Sequence, residues 1–331
     1  MYSWSPALKG RSLLSIQDLT DREMLDIIEL ALKLKKRRQE GVRGNLLERK
    51  NVALIFEKSS TRTRTAASVA IRDEGGNAEY LARNDIHLGA KESVADTARV
   101  LGRMFDGILF RGFEHQTVVD LARYAGIPVW NGLTDSFHPT QALADLMTMQ
   151  ECFGKLSGLK VAYVGDGRNN VANSLMMACA KAGINFTNCT PASLEPEYSF
   201  LEIARKIAKS HGSTVEICHD PKKGVKGANV IYTDVWVSMG EEAQREERLK
   251  LLQPYQVNME LVKATGTSLD RFIFLHCLPA FHDNQTQLTQ TSGALEVTDD
   301  VFEAPFSRVF DEAENRMHTI KALYVSALTT P

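Results

Sequence analysis

Cysteine is scarce in this 331-residue chain, and the five present (Cys152, Cys179, Cys189, Cys218 and Cys277) include no CxxC pair. An odd, unpaired set excludes a disulfide framework and a CxxC-type zinc site, and it fits reduced thiols in a cytosol. Surplus charge is missing too: 39 Lys and Arg stand against 41 Asp and Glu, a net charge of −2. Without a long-range field of one sign, neither nucleic acid nor an anionic membrane is expected as partner, and any basic patch must be local. No apolar run approaches the ~18–20 residues of a membrane span. Met1–Arg11 lacks the apolar core of a secretory signal and the Arg- and Ser-rich amphipathic character of a transit peptide. A cytoplasmic protein is the expectation.

What remains is an ordinary globular balance of 44% apolar and 24% charged residues. A core of more than about 250–300 residues tends to split, so the length implies two domains. Short apolar runs at Val52–Phe56, Gly107–Phe110, Ile127–Trp130, Val161–Val164, Val230–Thr233 and Phe272–Leu275 read as buried strands. Between them lie helical patterns at 92–105, 115–125, 139–153, 170–182 and 200–211. An earlier helix is announced by a Thr20/Glu23 capping box ahead of Met24, Ile27, Ile28 and Ala31. This alternation predicts an α/β protein made of two doubly wound parallel-sheet domains joined by interdomain helices. The first domain is expected over residues 1–150, with a C-terminal helix at about 312–331 packing back on it. The second is expected over 151–311. Right-handed crossovers put the strand C-termini of each sheet on one edge, where ligands bind.

The candidate chemistry collects at those strand ends. Glu57–Thr65 follows a strand and opens a helix, with five hydroxyl residues (Ser59, Ser60, Thr61, Thr63, Thr65) interleaved with Arg62 and Arg64. A helix N-terminus with added hydroxyls and guanidiniums is a phosphate site. The glycines of a Walker loop or a dinucleotide fingerprint are absent, which argues against a nucleotide. Against this stands the plainer reading of a Ser/Thr-capped helix with solvated arginines. Arg111 ends another strand, where a solvated loop arginine is the usual case. His138 precedes Pro139, which suits a first helical position, and Gln141 lies about one turn on. Imidazole and amide together could polarise a carbonyl and hold an NH2 group. Cys277 follows a strand, and Pro279 is expected to push Leu278 into extended backbone, presenting a thiol and a carbonyl. The same thiol could equally be a small buried apolar group. Asp234–Gly240 follows a further strand: Asp234 could bind an ammonium group, and Ser238 with the backbone near Gly240 a carboxylate. The alternative there is a polar turn over a packed Trp236. Gly165–Asn170 offers amides and helix N–H groups at another junction, and Ile86–Glu92 is a charged, Gly-punctuated loop.

Four of these segments, Ser60–Arg64, Phe137–Gln141, Asp234–Gly240 and His276–Pro279, together resemble the signature motifs of the ornithine carbamoyltransferase family. The resemblance runs from about Leu13 to Leu328 and includes Val129–Leu133 and Ala313–His318. It implies transfer of the carbamoyl group of carbamoyl phosphate to the δ-amine of L-ornithine, giving citrulline and phosphate, with no metal and no other cofactor. It implies that Ser60, Thr61, Arg62 and Thr63 bind the phosphate. Arg111, His138 and Thr63 would sit at the carbonyl oxygen, and Gln141 with the carbonyls of Cys277 and Leu278 would take the NH2 group. Arg316 would also face carbamoyl phosphate. Asn170, Asp234, Ser238 and the Met239 backbone would hold the amino-acid end of ornithine, with Cys277 beside the δ-amine. A homotrimer, or a multiple of trimers, is implied, with a loop at His87–Lys91 reaching the neighbouring subunit's site; many members carry Gln where this chain has His87. The alternatives are a carbamoyltransferase for another amine such as putrescine, and a non-catalytic paralogue. The residues leave open whether the reaction serves arginine synthesis or breakdown.

Overall fold

The computed structural model describes residues 4–86, 88–89, 91–237, 242–290 and 292–330. The chain forms two compact units. One comprises Met1–Met147 with Glu314–Pro331, the other Thr148–Ala313.

The first unit is built on four parallel strands, β1 (Asn51–Phe56), β2 (Asn77–Ala82), β3 (Gly107–Arg111) and β4 (Val129–Leu133), in the order β2-β1-β3-β4. Its helices are α1 (Asp21–Gln39), α2 (Thr61–Arg72), α3 (Val94–Leu101), α4 (His115–Ala125) and α5 (Pro139–Phe153). The expected capping box starts α1: Thr20 Oγ1 accepts from the Glu23 amide, and Glu23 Oε2 accepts from the Thr20 amide. Ala53, Ile55, Ile108, Phe110 and Val129 of the sheet pack on Ala98 and Leu101 of α3 and on Val118, Leu121 and Ala125 of α4. Because β1 connects outward to β2 on one side and β3 to β4 on the other, the winding reverses between β1 and β3. That reversal opens a crevice at their C-terminal ends.

The second unit repeats the plan with five parallel strands, β5 (Lys160–Val164), β6 (Asn185–Cys189), β7 (Val215–Cys218), β8 (Val230–Thr233) and β9 (Ile273–His276), in the order β7-β6-β5-β8-β9. Its helices are α6 (Asn170–Lys181), α7 (Tyr198–Ser210), α8 (Pro221–Gly224), α9 (Arg245–Leu252), α10 (Met259–Ala264) and α11 (Asp299–Phe302). Here the winding reverses between β5 and β8. One side of the core joins Ala162, Val164, Ile231 and Phe274 of the sheet to Trp236, Leu252, Val257, Val297 and Phe302. The last helix, α12 (Val309–Leu328), and α5 each contain a boundary between the two units.

Three strands, β2, β6 and β7, were not expected from the sequence. β2 and β7 are edge strands, half-exposed along much of their length, and β6 carries Asn185, Thr187 and Asn188. None therefore shows the continuous apolar run of a buried parallel strand. The expected strand Ile127–Trp130 instead runs Val129–Leu133. Pro128 cannot donate to a ladder, and it contributes only its carbonyl, to the Ile108 amide.

Candidate functional site

At the β1/β3 crevice of the first unit, Ser60 caps α2, its hydroxyl accepting from the Thr63 amide at 3.2 Å. This leaves the remaining first-turn N–H groups and the positive end of the helix dipole at the crevice. Thr63 is fully buried, and its hydroxyl oxygen takes two guanidiniums at once, Arg111 Nη1 at 3.1 Å and Arg316 Nη2 at 2.8 Å. Arg316 also donates to Gln141 Oε1 at 2.9 Å, and Gln141 Nε2 donates to Asp145 Oδ1 at 2.8 Å. One hydrogen-bonded row therefore runs Arg111–Thr63–Arg316–Gln141–Asp145. A register shift between β3 and β4, where Gly132 is passed over, sets the end of β3 from which Arg111 projects. A Cβ on Gly132 would lie 2.9 Å from Leu109 Cδ2, 3.1 Å from the Phe110 carbonyl and 3.3 Å from Thr63, so the close approach needs glycine.

His138 is buried beside this row. Burial first, then the charges of Arg316, Arg111 and Arg62, hold its pKa well below the usual histidine value. It is a neutral imidazole among cations, able to donate one hydrogen bond to a developing oxyanion without adding charge. Not all of the Ser60–Thr65 motif points this way. Arg64 lies over the Tyr80 ring, 3.6 Å from its centroid, and Thr61 and Thr65 are exposed. Helical rotation of about 100° per residue spreads the motif around α2, so only part of the hydroxyl and arginine run serves one site.

At the β5/β8 reversal of the second unit the charge is of the other sign. Gly165, at φ 139°, turns the chain out of β5 into Asp166 and the cap of α6. Asp234 follows β8 and is buried. Its Oδ1 accepts from Cys277 Sγ at 3.1 Å and from the Val235 amide at 2.8 Å, and its Oδ2 accepts from Asn169 Nδ2 at 3.0 Å. Burial raises the Asp234 pKa, opposed by His276, the Cys277 thiol and the Val235 amide and reinforced by Glu296. Asn169 also caps α6 through Oδ1, so it fixes the carboxylate to the helix; the expected Asn170 is the first residue of that helix.

The Cys277 turn is held from beneath by two buried carboxylates. Glu312 Oε2 accepts the His276 amide at 3.0 Å and its Oε1 the Tyr232 hydroxyl at 3.0 Å. The Leu278 amide donates to His276 Nδ1 at 2.9 Å, which places the ring proton on Nε2, 3.2 Å from Glu296 Oε1. The same Glu296 oxygen accepts the Phe281 amide at 2.6 Å. Leu278 is not extended as the sequence suggested: it takes φ 59° before a cis Leu278–Pro279 bond. The bond from its amide to His276 holds that left-handed backbone in place. Asp234, His276 and Cys277 place metal-capable atoms within 4.8 Å of one another. Both ring nitrogens of His276 are already engaged, so this group is poorly suited to an ion. Trp236 is buried in the core and its carbonyl accepts from Arg248 Nε at 2.7 Å, while Arg248 Nη2 pairs with Asp166. His87, Ser238 and Met239 lie outside the described residues.

Sequence reasoning did not single out Asp145, Glu296 or Glu312, while Asn169 and His276 lie within the expected Gly165–Asn170 and His276–Pro279 segments but had no role of their own there. Of the three unseen residues only Asp145 carried a local signal, standing four residues after Gln141. Among the described residues, no helix is long and apolar enough to cross a membrane.

Two family models cover nearly the whole chain. Residues 11–151 match the carbamoyl-P binding domain, and residues 157–327 the Asp/Orn binding domain, of aspartate/ornithine carbamoyltransferase. A catabolic ornithine carbamoyltransferase of Bacillus licheniformis is 54% identical over 327 residues, 97% of each chain. Ornithine carbamoyltransferase 2, catabolic, of Staphylococcus epidermidis is 55% identical over 97% of each chain. Among solved structures, ornithine carbamoyltransferase from Pyrococcus furiosus superposes with a TM-score of 0.90 at 47% identity, covering 97% of this chain and 98% of that one. The anabolic enzyme of Campylobacter jejuni gives 0.84 at 35% identity, over 95% and 97%.

Proposed function

Because the chain belongs to the aspartate/ornithine carbamoyltransferase family, we propose that it transfers a carbamoyl group between phosphate and the δ-amine of ornithine, interconverting carbamoyl phosphate plus L-ornithine with citrulline plus phosphate. The observation that carries this reading is the pair of guanidiniums on Thr63 beside a neutral His138, at the N-terminus of α2. In the proposed reaction the phosphate of carbamoyl phosphate lies on the first turn of α2 with Ser60, Thr61, Arg62 and Thr63. Arg111, Thr63 and His138 address the carbonyl oxygen. As the amine attacks the carbamoyl carbon, negative charge grows on that oxygen and then on the leaving phosphate. Fixed cations and a neutral donor are stronger ligands for the transition state than for the ground state. Gln141, oriented by Asp145, and the carbonyls of Cys277 and Leu278 take the NH2 group.

Asp234 is assigned to the α-ammonium group of ornithine, with Asn170, Ser238 and the Met239 backbone completing the amino-acid site. The attacking amine must be neutral, whereas an alkyl ammonium ordinarily titrates near ~10. Cys277, whose thiol proton is given to a buried carboxylate, is assigned as an acceptor that orients the δ-amine and steers its proton toward the departing phosphate. It is not assigned as a covalent nucleophile. A homotrimer, with His87–Lys91 completing a neighbour's site, belongs to this proposal. The catabolic names of the two bacterial relatives at 54–55% identity support the citrulline-consuming direction in arginine breakdown.

The test is a side-by-side assay of citrulline formation and of citrulline phosphorolysis, with ornithine and putrescine compared as amines. Turnover with ornithine in preference to putrescine is expected, because putrescine has no α-ammonium or carboxylate for the second unit to bind. Preference for putrescine would replace the substrate, and no turnover with either would leave a non-catalytic paralogue.

A further inference from the structure

A second histidine and carboxylate group lies in the same unit and shares no residue with the Asp234, His276 and Cys277 group. His282, Asp283 and Asp299 each direct one ligand-capable atom so that all lie within 4.8 Å of one another. His282 Nδ1 is 2.7 Å from Asp299 Oδ1. The imidazole is stacked on the Phe302 ring, centroids 3.7 Å apart and planes 11° apart, which fixes where its nitrogens point. Asp283 is fixed as well, its Oδ1 accepting the Gln285 amide at 3.0 Å. Unlike His276, whose nitrogens are held by a backbone amide and by Glu296, His282 has its Nδ1 against a carboxylate of the cluster itself, so both atoms of that pair can turn to a shared cation. A single His–Asp contact accounts for one carboxylate. A second carboxylate, that of Asp283, stands beside it, so one imidazole nitrogen and two carboxylate oxygens lie close enough to share one cation.

We propose that His282, Asp283 and Asp299 form a divalent-cation site, with zinc as the best-matched ion. One imidazole nitrogen and two carboxylate oxygens are the ligand types of zinc sites with three protein ligands and a water in the fourth position. Bonds of about 2.0–2.2 Å at tetrahedral angles need ligand atoms about 3.3 Å apart. The His282–Asp299 pair must open slightly and the Asp283 carboxylate close, which are side-chain movements on an accessible surface: the Asp299 side chain is 62% exposed. Binding ties the segment after Phe281, itself anchored on Glu296, to α11 at Asp299. The role is therefore a clamp on the second unit rather than a part in group transfer, and the inference does not depend on which amine the protein carbamoylates.

The experiment is equilibrium titration of the full chain with Zn2+ and with Co2+, comparing the unaltered protein with His282→Gln and with Asp283→Asn, the latter leaving the His282–Phe302 stack in place. The unaltered protein should bind one metal equivalent more than His282→Gln. Asp283→Asn should bind that equivalent at least tenfold more weakly. The Co2+ bound there should lack a thiolate charge-transfer band, and the event should survive Cys277→Ser, which separates it from any ion held at Cys277. Equal stoichiometry and affinity in all three proteins overturns the proposal, as does loss of the event in Cys277→Ser.

Discussion

The two units place chemistry at the same topological position and give it opposite charge. In the first, the crevice between β1 and β3 brings Arg111 and Arg316 onto one buried hydroxyl, and the histidine that feels their charges and that of Arg62 is kept neutral. In the second, Asp166 and Asp234 stand at the reversal between β5 and β8, Glu296 and Glu312 hold the turn after β9, and burial raises the pKa of Asp234. The parallel-sheet plan supplies a crevice and an aimed helix N-terminus and is indifferent to what is bound there. Strand-end side chains decide the ligand. In both units burial is the largest influence on the titrating group, lowering the pKa of His138 and raising that of Asp234.

Removing a cation from the first unit should do the most damage. Arg316→Ala takes a guanidinium from both Thr63 and Gln141, and kcat should fall by about 10²–10³, the cost of losing one fixed oxyanion donor. Arg316→Lys should recover little, because an ammonium cannot serve two acceptors through a planar fork. Steady-state kinetics alongside a thermal melt decides this; near-normal turnover in the Lys variant would show that only charge matters. On the other side of the comparison, Asp234→Asn should weaken ornithine by about 10–150-fold, the equivalent of a lost charge-assisted hydrogen bond at ~1.5–3 kcal/mol. The KM for carbamoyl phosphate should stay within about threefold if the two charge sets act on different substrates. Equal losses for both substrates would erase the division of labour drawn between the units.

Cys277→Ser should reduce turnover by roughly tenfold, the order of one neutral hydrogen bond, and shift the pH profile, since a hydroxyl still reaches Asp234 but does not titrate. Mass spectrometry of enzyme incubated with carbamoyl phosphate alone should show no adduct on Cys277. A stoichiometric adduct that ornithine discharges would make the thiol a nucleophile.

The smallest effect concerns acid, and the two units respond with opposite sign. His138 has a depressed pKa in the folded state, and the buried His318 of α12 is held at about 4, chiefly by burial. As pH falls below about 6.5 the unfolded chain takes up protons that the folded first unit refuses, so its stability declines from there toward pH 4. Asp234 has a raised pKa: the folded second unit binds a proton that the unfolded chain has released. That term favours folding at low pH and is lost as pH rises through the folded value. Hydrogen exchange followed at pH 7 and pH 5 should show the α5–α12 region of the first unit loosening more than the strand ends of the second. A uniform response would remove the distinction.

Read along the chain, the α/β alternation, the extents of α4 and α5, the α1 capping box and the strand-end positions of Ser60, Arg111, Asp234 and Cys277 were all legible. They rest on local patterns: periodicity, capping chemistry and apolar runs read within a dozen residues. The unseen strands β2, β6 and β7 owe their state to pairing with neighbours already in place. The sequence by itself determined which segments are apolar, where helices begin and which reactive side chains stand at strand ends. Tertiary structure alone decided that Arg316 meets Thr63 across 253 positions, that Glu296 and Glu312 grip the His276 turn, and that Arg64 leaves the site for Tyr80. Those outcomes depend on the winding order of two sheets and on helical rotation, and burial within that packing, which no local window contains, lowers the pKa of His138 and raises that of Asp234.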